Sequence, residues 1–141
     1  MSSEPENLGW LIKRVQHYHH RTLDKSLSKL GLSIVQWNAL REVERNPESS
    51  QHHLAEQSFN SDQAFGTLVA RLKAAGFIER HQGAGRAMCL QLTPNGKAQL
   101  DKGQEITSEI LAKSFSPLSA NEREELTRLL TKVINAQSAE I

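Results

Sequence analysis

The sequence predicts a mainly α-helical fold with one small β-hairpin. Three observations carry that prediction. Apolar residues recur at helical spacing over most of the 141 residues. Serines and threonines stand ahead of those stretches, where they cap helices. One glycine-bearing tip, Gly83-Ala84-Gly85-Arg86, lies between the strand-like runs Phe77–Arg80 and Met88–Leu92. A short helix, a tight turn, a longer helix and a hairpin follow one another without a break, which is the order of a winged helix-turn-helix.

Residues 1–6 read as a frayed tail. From Asn7 to about Leu30 one helical stripe runs through Leu8, Leu11, Ile12, Val15, Tyr18, Thr22, Leu23, Leu27 and Leu30, and Gly31 ends it. Ser33 and Gln36 form a capping-box pair. The helix they open turns Trp37, Leu40 and Val43 inward, and Pro47 closes it. A short helix over His52–Ser58 and a turn at Phe59 and Asn60 lead to a helix over Ser61–Ala75. Ser61 caps that helix, Phe65, Leu68, Val69 and Leu72 face the core, and Gly76 suits the left-handed position beyond its end. Thr93 and Pro94 open the next helix, which runs to about Phe115 along Leu100, Gly103, Ile106, Ile110 and Leu111. Gly103 costs roughly 1 kcal/mol against alanine in mid-helix, so it marks a bend or a close helix contact. Ser119 and Glu122 make a second capping box for a last helix whose buried face is Leu126, Leu129, Leu130, Val133 and Ile134.

Composition narrows the function. Apolar content of 38% with 5% aromatic residues allows only a lean core, of the kind oligomerisation completes. The net charge is +1, but it is unevenly spread. Between Asn60 and Leu100, Arg71, Lys73, Arg80, Arg86 and Lys97 outnumber Asp62 and Glu79, whereas Glu122, Glu124 and Glu125 lie further on. Cys89 is the single cysteine, so no intrachain disulfide can form and a reducing compartment is expected. The start MSSEPENLGW lacks the basic and apolar regions of a signal peptide, and no apolar run reaches bilayer-spanning length. A soluble cytoplasmic protein with no membrane partner is expected. No phosphate loop, glycine-flanked nucleophilic serine or zinc-protease motif is present, so the sequence supplies no parts for an enzyme.

The helix-turn-helix supplies parts for nucleic acid. Its second helix presents Asp62, Gln63, Gly66, Thr67, Ala70 and Lys73 outward, small and polar at the N-terminal end that meets base edges. Gln63 suits adenine, and Thr67 suits a thymine methyl or a phosphate. Gln51 and His52 begin the preceding helix within reach of phosphate. Arg86 at the hairpin tip touches phosphates or enters the minor groove. The helices at 7–30 and 94–138 flank a DNA-binding lobe over 33–92 within one domain. Their apolar faces find cover in a homodimer, which sets two recognition helices about 34 Å apart on double-stranded DNA. The alternatives are a monomer whose terminal helices pack on themselves, and a winged helix that grips a partner protein. His17 and His20 stand three apart and could share one ion, but no later histidine completes the set; a solvated or pocket-lining cluster with His19 is expected, with no metal and no cofactor. Cys89 is expected to be a buried structural thiol.

Gly31-Leu32-Ser33 with Gln36-Trp37 and Leu40, His53-Leu54-Ala55-Glu56, the run from Val69 to Arg80, and Leu92-Thr93-Pro94-Asn95-Gly96 keep a particular order and spacing. In this the chain resembles the MarR family of bacterial transcriptional regulators over nearly its whole length. The resemblance implies a homodimer joined through the terminal helices, a pseudo-palindromic operator, repression, and release by a small aromatic or phenolic ligand. A regulator answering to metal or oxidation is the alternative. The resemblance puts Gln63, Thr67 and Arg71 at recognition-helix positions, beside Ser61, Asp62, Gly66 and Lys73, with Arg71 otherwise half of an ion pair near the wing. It also puts Trp10, Tyr18, His19, Trp37 and Arg41 on the two helices that line the ligand cleft in relatives, where aromatic faces and a cation suit a flat anion. Where the family's wing carries an aspartate two residues before its arginine, this chain has Ala84.

Overall fold

The first helix begins earlier than its apolar stripe. In the computed structural model, which describes residues 3–83, 85 and 88–138, α1 runs over Glu4–Leu27. The side chain of Ser3 accepts from the Glu6 N–H at 3.3 Å, Pro5 sits in the first turn, and Glu4 and Glu6 complement the helix dipole. The frayed tail expected over residues 1–6 is therefore helical from residue 4. At its other end α1 tightens into one 3-10 turn, Ser28–Leu30, and Gly31 at φ +76° breaks it.

The remaining elements follow as α2 Ile34–Arg45, α3 Gln51–Gln57, α4 Asp62–Ala74, β1 Ile78–Gln82, β2 Met88–Leu92, α5 Pro94–Ser114 and α6 Ala120–Ser138. They make two compact units, Met1–Thr107 and Ser108–Ile141, whose boundary falls inside α5. The local signals in the sequence fix most of the joints. Ser33 and Gln36 close their capping box at 3.1 and 2.9 Å, and Ser119 and Glu122 close theirs at 3.2 and 2.9 Å. Thr93 Oγ1 accepts from Gly96 N–H and donates to the Gly76 carbonyl. Gly76 takes φ +81°, with the Phe77 N–H bonded to the Leu72 carbonyl and its own N–H to Lys73, which is a Schellman stop for α4.

The core of the larger unit collects Leu23 and Leu27 from α1, Trp37, Leu40 and Val43 from α2, Leu54 from α3, and Phe65, Leu68, Val69 and Leu72 from α4. Ile78, Cys89, Leu90 and Leu100 complete it. Burying side chains of this size stabilises by about 1.5–3 kcal/mol each. The hairpin pairs Ile78 with Leu92 through to Gln82 with Met88, antiparallel. α5 is seated closely: a Cβ at Gly96 would overlap the Phe77 carbonyl, and one at Gly103 would overlap the Trp37 indole. Gly103 thus marks a close contact, the second of its two expected meanings.

Two apolar faces are left uncovered. Leu8, Leu11, Ile12, Val15 and Tyr18 on α1 are exposed, and only Leu23 and Leu27 of that stripe reach the core. In the smaller unit Leu129, Leu130, Val133 and Ile134 on α6 are exposed too, with Leu126 half-buried. The buried face expected for α6 is therefore not buried within one chain.

Candidate nucleic-acid interface

Ser61 opens α4, its hydroxyl accepting from the Ala64 N–H at 3.1 Å. With Phe65, Leu68, Val69 and Leu72 sunk in the core, the rest of the helix must face out. Two side-chain lines result from the spacing of four. Gln63, Thr67 and Arg71 form one. Asp62, Gly66 and Ala70 form the other, with Lys73 one turn on. All are exposed except Gly66, which is half-exposed.

The first line borders a small depression of about 230 Å³ against the start of α2, walled by Gln36, Asn60, Thr67 and Arg71 among others. Thr67 Oγ1 donates to the Gln63 carbonyl at 3.2 Å. Arg71 makes no ion pair with any described residue, so the intramolecular pairing considered for it does not form among them. The second line borders the start of α3. The Gln51 amide lies 3.7 Å from where a Cβ on Gly66 would sit. Beside it, His52 spans two carboxylates: Nδ1 is 2.8 Å from Asp62 Oδ1, and Nε2 is 2.9 Å from Glu56 Oε1. A neutral imidazole has one N–H, so only the imidazolium donates to both partners. Its hydrogen bond to Asp62, then the charges of Asp62 and Glu56, raise the His52 pKa above the ordinary histidine value. From the sequence alone His52 is read only as a phosphate contact. The link to Asp62 depends on how the turn folds.

That turn is itself unusual. Phe59 holds φ +59°, in the left-handed region, and its ring is 98% exposed. Asn60 braces the turn through its side-chain amide to the carbonyl of Ser58 at 3.1 Å. Of the hairpin tip, Ala84 and Arg86 lie outside the described residues, so the expected contact of Arg86 has no geometry to report.

The five residues expected at a ligand cleft are not brought together. Trp10 and Tyr18 line an open groove of about 940 Å³ along α1, with Lys13, His17 and Arg21. His19 is half-buried beyond it, and burial lowers its pKa. Trp37, at 2% exposure, is a core residue whose indole N–H donates to the Leu100 carbonyl at 3.2 Å. Arg41 stacks on Trp37 with 5.2 Å to the ring centroid. Burial, then the neighbouring charge of Arg45, pull its pKa down, and Glu42 opposes them. Among the described residues no group of three histidine, cysteine or carboxylate side chains could hold a metal, and no helix is long and apolar enough to cross a membrane. Cys89 is buried on β2.

Residues 30–87 match the MarR family. The chain is 28% identical over 128 residues to an HTH-type transcriptional repressor of Mycobacterium tuberculosis, covering 89% of this chain and 92% of that protein. Among solved structures it resembles a Mycobacterium tuberculosis MarR family protein in complex with p-aminosalicylic acid, with a TM-score of 0.75 and 28% identity over 89% of this chain and 97% of that one. The same protein in complex with DNA gives a TM-score of 0.75 and 26% identity, covering 89% and 96%. The winged-helix arrangement expected from sequence is thus the one these relatives share.

Proposed function

Because the winged-helix segment of this chain belongs to the MarR family, we propose that the protein is a cytoplasmic transcriptional repressor. It binds a pseudo-palindromic DNA operator as a homodimer and is released by a small aromatic or phenolic ligand. The observation that carries the reading is the outward face of α4, polar, exposed and capped at its N-terminal end, with a two-stranded hairpin after it. A repressor similar to this chain has been solved with DNA, and with salicylic and p-aminosalicylic acids.

In this reading Gln63, Thr67 and Arg71 meet the major groove with Asp62 and Gly66, and Gln51, Ser61 and Lys73 lie at its margins against phosphate. Arg86 reaches from the wing along the backbone. The uncovered faces of α1 and α6 support a second copy of the chain as their cover. Ligand release follows if the aromatic acid favours a dimer whose recognition helices are wrongly spaced for successive grooves, which shifts the population off DNA. Trp10 and Tyr18, with the cations of the α1 groove, suit such an anion; His19 stands on the same helix and Arg41 on α2.

The test is retention of DNA from upstream of the protein's own gene, with and without salicylate. Retention of that fragment over a scrambled one, relieved by salicylate, is expected. Equal binding to both fragments would contradict an operator there, and retention indifferent to any hydroxybenzoate would contradict the ligand.

A further inference from the structure

Asp62 sits where a DNA-binding surface would ordinarily avoid a carboxylate, on the first turn of the outward helix. The structure does not leave it loose. Both its oxygens lie on His52 Nδ1, at 2.8 and 3.0 Å, and Glu56 holds the opposite ring nitrogen at 2.9 Å. All three side chains are about two-thirds exposed, and exposed ion pairs contribute little to stability. What the cluster does strongly is fix direction. An imidazolium bonded on both nitrogens cannot rotate, and a carboxylate bonded to it through two oxygens keeps its remaining lone pairs pointed one way.

On the reading of the chain as an operator-binding regulator, we propose that Asp62 is a specificity-determining residue that accepts a hydrogen from the N4 amino group of a cytosine in each half-site, and that His52 is the residue positioning it. The chemistry selects the base. A carboxylate can only accept, so guanine, with O6 and N7 acceptors, and thymine, with O4, both repel it. Adenine offers an amino group flanked by the N7 acceptor, whereas cytosine offers one with no acceptor beside it in the major groove. The same cluster governs charge. With His52 protonated, Asp62, Glu56 and His52 sum to −1; without the proton they sum to −2, and the one N–H that is left serves Asp62 or Glu56 but not both. The charged groups acting on His52 are Asp62 from α4 and Glu56 from its own helix, and both favour the protonated form. Discrimination for cytosine is therefore strongest at mildly acidic pH and declines as His52 loses its proton.

The experiment is selection from random-sequence duplexes by the full chain, for wild type, Asp62→Asn and His52→Gln, at pH 6 and pH 8.5. Wild type at pH 6 should enrich a two-fold motif with cytosine at one fixed position per half-site and discriminate against its replacement by roughly tenfold. Asp62→Asn should keep the rest of the motif and change that position to adenine, since an amide pairs with adenine N6 and N7. Wild type should lose part of its discrimination at pH 8.5, and His52→Gln should discriminate weakly and equally at both values. A merely structural cluster would weaken all sequences alike. An unchanged motif in Asp62→Asn overturns the inference while leaving the regulator intact. Failure of wild type to enrich any sequence removes the regulator reading and this inference with it.

Discussion

The indole N–H of Trp37 donates to the carbonyl of Leu100 at 3.2 Å, and Gly103, one turn further along α5, leaves the space the ring occupies. One aromatic side chain thus joins the middle of α2 to the start of the helix that leaves the winged-helix lobe. Trp37→Ala should cost about 3–5 kcal/mol through the lost burial and the cavity. Gly103→Ala should cost about 1–3 kcal/mol by overpacking, although alanine is the better helix former. Urea denaturation of both variants checks the pair.

Phe59 carries an unfavourable backbone without the compensation of burial. At φ +59° and 98% exposure it gives up nothing when its side chain is removed. Phe59→Gly should therefore stabilise by about 1 kcal/mol and raise Tm by a few degrees in calorimetry. Phe59→Ala, which keeps the Cβ and so the strain, should not.

What was legible in the sequence was local. Ser33 with Gln36, Ser61, Gly76 and Thr93 act on backbone groups within four residues, apart from the second bond of Thr93, and their types alone announce what they do. The start of α1 was missed because its cap, Ser3, precedes the apolar stripe by a full turn. Trp37 was legible as inward-facing, but not which atom its indole would bond, since Leu100 lies 63 residues away. The His52–Asp62 contact spans ten residues across a turn that only a left-handed Phe59 makes, and nothing in the spacing signals it. The faces of α1 and α6 read as apolar, but helical periodicity does not say whether its partner is the same chain or another copy.

The uncovered stripe on α1 gives a direct forecast for assembly. Ile12 and Val15 are 56% and 46% exposed, so charging them leaves the folded lobe intact while opposing a dimer. The double variant Ile12→Glu, Val15→Glu should sediment as a monomer, with unchanged circular dichroism and operator affinity down at least tenfold. A dimer that persists would place the interface elsewhere.

Stability should also carry a proton signature. The pKa of His52 is raised in the folded state, first by its hydrogen bond to Asp62. Its contribution is fully present below the ordinary histidine pKa and is lost as pH rises through the raised value. The urea midpoint of wild type should therefore fall slightly more between pH 6 and pH 9 than that of His52→Gln. Because the cluster is exposed the difference is small, and it should shrink further in 0.5 M salt, as screening predicts.

The central claim is that the outward face of α4 lies in the major groove, twice per dimer. A cleavage reagent tethered at Gln63→Cys, with the protein bound to its operator, tests it most directly. Two clusters of strand scission about one helical turn apart are predicted, roughly 34 Å between centres. Retained DNA without cleavage near Gln63 would show that some other surface holds it, and would contradict the account.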